Sequence, residues 1–134
     1  SNNTGIYIRN ARKTIIEKSN IYNYSTAILI NRSQKTKIAT TRTEFSNNSI
    51  IITNSEQITI NKVTIRGKEN LGNNGILIQN SNNIEIMQTN CLNLSEGIYL
   101  SNVSDAIITH NQIKQCSDTG ISIIDSKNIL LRMG

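Results

Sequence analysis

A small residue followed by hydrophobes at alternate positions recurs six times along this chain. The phrase reads Gly5-Ile6-Tyr7-Ile8, Ala27-Ile28-Leu29-Ile30, Ser49-Ile50-Ile51-Ile52, Gly75-Ile76-Leu77-Ile78, Gly97-Ile98-Tyr99-Leu100 and Gly120-Ile121-Ser122-Ile123, with starts 22, 22, 26, 22 and 23 residues apart. A fixed period of this size is the signature of a solenoid, in which each repeat buries its apolar face only by stacking on its neighbours.

The residue types say what each repeat contains. About one residue in five is Ile and about one in six is Asn, while Pro and Trp are absent. Ile fits the pleated, half-buried surface of a strand, and Asn tolerates the left-handed angles of tight turns. The 134 residues suffice for a single domain, 1–134, with 37% hydrophobic content for its core. The chain opens inside the recurring phrase and the sixth repeat stops at Leu131-Arg132-Met133-Gly134 before its last strand. Repeat arrays normally carry caps, so the expectation is a fragment of a longer solenoid with an incomplete last coil. No apolar run reaches the ~20 residues of a membrane span, and the N-terminus lacks a signal-peptide pattern.

The fourth repeat shows the internal logic. Ile76 and Ile78 alternate with Leu77 and Gln79, Asn80-Ser81 turns the chain, and Ile84 and Ile86 alternate with Glu85 and Met87. Alternation puts one face in and one face out. A third short strand follows, as at Val63-Thr64-Ile65 and Asn111-Gln112-Ile113. The spacing therefore predicts an all-β parallel β-helix of about six coils, each of about 22 residues and three short strands. In register, Ile6, Ile28, Ile50, Ile76, Ile98 and Ile121 form one inward column, and Ile8, Ile30, Ile52, Ile78, Leu100 and Ile123 another. Corner columns such as Asn54-Ser55 and Asn80-Ser81 are suited to hydrogen-bonding along the axis.

The Gly-Ile-x-Ile-x-Asn-Ser phrase at Gly75 to Ser81, the Ile84-x-Ile86 that follows, and the Asn before the third strand at Asn20, Asn90 and Asn111 resemble the right-handed parallel β-helix repeat of the pectin-lyase-like superfamily. The resemblance is closest to the carbohydrate-binding and sugar-hydrolase repeats shared with NosD-type proteins, and it covers essentially the whole chain. It implies an extracytoplasmic location, secreted, cell-surface or periplasmic, and a polysaccharide partner. The superfamily spans lyases, hydrolases, epimerases, adhesins and copper-enzyme accessory proteins, so the fold does not choose among them. The catalytic clusters of its lyases and epimerases have no residue-by-residue match here.

Members acting on polysaccharides place side chains on an outward strand face. Here the outward positions of the first strand are Tyr7, Leu29, Ile51, Leu77, Tyr99, Ser122 and Arg9, Asn31, Thr53, Gln79, Ser101, Ile124. One reading is a shallow groove where Tyr7 and Tyr99 stack on sugar rings while Arg9, Asn31 and Gln79 bond hydroxyls. The plainer reading is an apolar face covered by a missing segment or partner chain. Glu96 and Asp118, before the lead glycines of successive repeats, are expected about one strand spacing of ~4.8 Å apart. Such a pair suits glycoside chemistry or Ca2+, although solvated turn residues are the commoner outcome. The extra length of the 26-residue repeat lies at 66–74, where Lys68 and Glu69 are placed to border a groove, a merely tolerated loop being an equally good reading. His110 and Met87 fall on one corner and would suit copper, but Cys91 and Cys116 lie on another side, so no metal set is assigned. The two cysteines sit at different offsets and are expected as buried free thiols.

Charge is divided along the axis. Through residue 68, eleven basic side chains face three acidic ones, giving +8; beyond it, three basic face six acidic, giving −3, and together these make +5. Arg12, Lys13, Arg32, Lys35 and Lys37 crowd the first turn of coils one and two, a basic patch suited to an anionic polysaccharide. Nucleic acid is not expected, because aromatic residues for base stacking are lacking. The complementary ends also suit head-to-tail self-association into a stalk, adhesin or filament. The functional expectation is a carbohydrate-associated β-helix domain without an evident catalytic constellation, with the structural module and a NosD-type copper accessory role as alternatives.

Overall fold

The computed structural model describes residues 3–133, which form no helix and wind into a parallel β-solenoid. Its strands are β1 (Thr4–Arg9), β2 (Arg12–Glu17), β3 (Asn20–Tyr22), β4 (Thr26–Asn31), β5 (Gln34–Glu44) and β6 (Asn48–Thr53). They continue as β7 (Glu56–Arg66), β8 (Asn74–Met87), β9 (Asn90–Thr109), β10 (Gln112–Ile124) and β11 (Lys127–Arg132). Each pairs in parallel with the strand one coil away.

The predicted columns recur in register, although Ile123, at the end of its column, is 37% exposed. Ile6 pairs with Ile28, Ile28 with Ile50, Ile50 with Ile76, Ile76 with Ile98, and Ile98 with Ile121. Ile28, Ile30, Ile50, Ile52, Ile76, Ile78 and Ile98 are fully buried, so the coils share one continuous aliphatic core. Branched side chains suit this stacking because their restricted χ1 lets identical rotamers repeat from coil to coil.

Each coil turns by left-handed residues. Asn10, Arg32, Asn54, Asn80, Asn102 and Asp125 have φ near +50° at the first corner, and Lys13, Lys35, Gln57, Asn83, Asp105 and Asn128 have positive φ where the second strand begins. Lys18, Thr40, Lys62, Gln88 and His110 do the same at the second corner. Asn is enriched because its short polar side chain tolerates this region better than most.

Three faces per coil are present, but the strands do not always stop at the corners. At the first corner, Ser33 Oγ accepts from the Ala11 N–H at 3.2 Å, Ser55 Oγ from Ser33 at 3.1 Å, and Ser81 Oγ from Ser55 at 3.1 Å. Each hydroxyl donates to the carbonyl two residues before it. Where Val103 follows in this column it pairs directly with Ser81, and β8 and β9 run through the corner unbroken. The second corner repeats the pattern: Val63 pairs with Thr41, and β5 and β7 are continuous there. The insertion at 66–74 closes on itself, with Asn73 Oδ1 accepting from the Lys68 N–H at 2.8 Å.

Candidate functional site

On the second face, alternation throws two columns outward with an inward column between them. Lys35, Gln57, Asn83 and Asp105 form one wall and Thr59, Glu85 and Ile107 the other, enclosing an open groove of about 610 Å³ that runs along the axis. Its floor includes Thr36 and Ile84. Lys35, Gln57, Asn83 and Asp105 share the same left-handed backbone angle along the first wall. A neighbouring groove of about 470 Å³ is lined by Arg32, Gln34, Asn54, Glu56, Asn80 and Asn82 among others. Successive rungs are ~4.8 Å apart, so the first groove offers a cation at one end, amides and a hydroxyl in the middle, and carboxylates at the other.

The basic patch gathers at the head of this groove. Arg12 pairs with Gln34 and Ile15 with Lys37, which brings Lys13 and Lys35 onto adjacent rungs of one column. Lys37 continues along the other wall beside Thr59. The ion pairs among the described residues are Glu44 with Arg42 at 3.7 Å and with Arg66 at 4.0 Å, so the patch is not neutralised internally. Arg32 lines the neighbouring groove instead.

The first face is assembled as expected in register. Tyr7, Leu29, Ile51, Leu77 and Tyr99 form a single column. Tyr7 and Tyr99 stand four rungs apart, about 19 Å, so they are separate contacts with three aliphatic residues between them. Tyr7 is 54% exposed and Tyr99 half-buried. Arg9 and Gln79 are exposed, but the Asn31 Oδ1 is already engaged, accepting from Thr53 Oγ1 at 2.9 Å and Asn54 Nδ2 at 3.3 Å.

The expected stacking of Glu96 on Asp118 does not occur. Glu96 pairs with Thr119, because the extra residue of the last 23-residue step is absorbed as an irregularity between Cys116 and Thr119. Asp118 is exposed and accepts from its neighbour Thr119 Oγ1 at 3.4 Å. Among the described residues no three His, Cys, Asp or Glu side chains gather as a metal site. Met87 pairs with Thr109, leaving His110 exposed beyond it.

Both cysteines are free, Cys91 opposite Ile113 and Cys116 opposite Leu94. Cys91 is buried and Cys116 only partly so, which corrects the expectation of two buried thiols. Burial, with a smaller push from Cys116, raises the Cys91 thiol to about 12. Burial also raises Cys116, against a hydrogen bond with the Leu94 backbone that lowers it. Lys68 and Glu69 border a groove of about 270 Å³ with Asn70, Asn93 and Gln115 at the corner between the third and first faces.

The second-face groove was hidden from sequence reading by its chemistry. Lys35, Gln57, Asn83 and Asp105 run from a cation through two amides to a carboxylate, and only their common offset from the lead residues marks them as one wall.

A comparison with curated proteins finds no match. The right-handed beta helix region family matches residues 1–132, nearly the entire chain. With its parallel coils, stacked isoleucines and hydrogen-bonded corners, the chain belongs to the right-handed β-helix family.

Proposed function

We propose that this β-helix is a carbohydrate-binding domain that takes a linear polysaccharide along the groove of its second face. The observation that carries the reading is the groove itself, an open trough of about 610 Å³ walled mostly by polar side chains repeating at rung spacing. A glycan chain presents hydroxyls at regular intervals and apolar ring faces between them. Gln57, Asn83 and Thr59 supply donors and acceptors, while Ile107, 42% exposed, supplies apolar contact. Lys35 at the basic head favours a polymer with carboxylate or sulfate groups there. The reading is one of binding, with Glu85 and Asp105 as the acidic end of the groove.

The test is affinity electrophoresis and calorimetry against a panel of neutral and anionic polysaccharides. The double variant Gln57→Ala with Asn83→Ala is expected to weaken the best ligand about tenfold or more, as loss of two hydrogen bonds implies. Tyr7→Ala with Tyr99→Ala is expected to leave it within about twofold. The reverse result moves the site to the first face, and no binding across the panel overturns the reading.

A further inference from the structure

Phe45, the single phenylalanine of the chain, sits in a conformation that phenylalanine rarely adopts. Its φ is +62°, and Asn23, Asn93 and Gln115 take the same left-handed angles at the equivalent corner of other coils. A bulky residue is less suited to this corner than the Asn or Gln that occupy it in other coils. Two cations face its ring: Lys68 Nζ lies 5.8 Å and Arg66 Cζ 5.9 Å from the centroid. Arg66 is shared with Glu44, whereas Lys68 has no ion pair among the described residues. Beside the ring is a shallow, open depression of about 240 Å³ lined by Asn23, Tyr24, Ser25, Asn47 and Lys68. An aromatic ring, amides and an uncompensated ammonium thus converge on one small pocket. The insertion at 66–74 supplies the ammonium, and the pocket lies at the opposite corner of the coil from the second-face groove.

We infer that this pocket is a separate site for one anionic pyranose residue, its ring face on Phe45, its hydroxyls on Asn23 and Asn47, and its carboxylate or phosphate on Lys68. Aromatic faces attract the apolar side of a ring, and a charge-assisted bond to Lys68 selects the anion. The site stands on Phe45 and does not depend on the groove reading.

The single phenylalanine gives a clean reporter. Its ring-proton resonances are followed in titrations with methyl glucuronide, glucose 6-phosphate, methyl glucoside and inorganic phosphate. Saturable shifts are expected from both anionic sugars, with methyl glucoside about tenfold weaker and no shift from inorganic phosphate; the two anionic probes separate carboxylate from phosphate preference. By ligand-observed saturation transfer, Phe45→Asn is expected to lose binding while keeping or raising the thermal midpoint, since Asn suits this angle. Lys68→Gln is expected to erase the preference for charged sugars. Asn83→Ala, in the groove, is expected to change nothing here. No saturable shift in the wild type overturns the proposal, as does an equal response to phosphate alone or equal affinity for methyl glucoside. A destabilised Phe45→Asn that still binds makes the ring a structural pin and overturns it too.

Discussion

Gly97 shows how a single hydrogen atom in place of a methyl sets the distance between coils. A Cβ there would lie 2.6 Å from the Gly120 carbonyl oxygen and 2.8 Å from Ile113 Cγ2, so the requirement is space rather than backbone freedom. At Gly120 the nearest atom to such a Cβ is 3.6 Å away. Gly97→Ala is therefore expected to destabilise by about 1–3 kcal/mol in urea unfolding, through overpacking. Gly120→Ala should stay within about 0.5 kcal/mol. Cys91 is the other residue with a sharp consequence. Its folded-state value of about 12 stands above the ordinary 9.0, so between those limits the unfolded chain loses the thiol proton and the folded chain keeps it. The unfolded state then binds fewer protons, and stability falls as pH rises, by up to about 1.4 kcal/mol per pH unit from this group. Cys91→Val is expected to flatten that part of the alkaline stability profile relative to the wild type. In the native protein at pH 8, a thiol reagent should modify the partly exposed Cys116 well before Cys91.

Where strands end is decided by one side chain per corner. Ser55 is 4% exposed; its Oγ accepts from the Ser33 N–H and donates to the Thr53 carbonyl at 2.9 Å. Ser55→Ala removes a buried acceptor, leaves the Ser33 N–H unpaired, and is expected to cost about 1–3 kcal/mol in denaturant unfolding. Hydrogen exchange should locate the loss at Ser33, whose amide loses protection ahead of its neighbours. The core columns were legible in the sequence because Ile28, Ile50, Ile76 and Ile98 declare the period by identity. Fused strands were not, because Val63 and Val103 look like ordinary strand residues until their corner position is known. The misplaced pairing of Glu96 had a similar source. A 23-residue step carries one surplus residue, and nothing in its composition says whether it enters before or after Asp118; the irregularity between Cys116 and Thr119 settles it in favour of Thr119.

For the molecule as a whole, charge is the feature that stacking amplifies. In an extended chain the basic residues before position 69 would be spread out, but coiling returns Lys13 and Lys35 to adjacent rungs and places Lys37 on the next outward column. Rung spacing of ~4.8 Å is shorter than the ~10 Å screening length at 0.1 M salt, so these cations repel one another. Coil order was legible in the sequence, whereas the groove that the cations head was not, because its wall is united by backbone angle and not by residue type. Stability should consequently rise when salt is added from a low starting level, the reverse of what a protein held by surface ion pairs shows. Lys35→Glu faces Lys13 with an opposite charge. It is expected to raise stability at low salt by about 0.5 kcal/mol, with the gain fading as salt is added. The same change should weaken an anionic polysaccharide more than a neutral one, because it reverses the charge at the head of the groove. Thermal unfolding across a salt series checks the first outcome and calorimetry with both glycans the second. Stability that falls with salt in the wild type would mean that the basic coils are neutralised in solution, and Lys35 would then lose its assigned part in selecting the ligand.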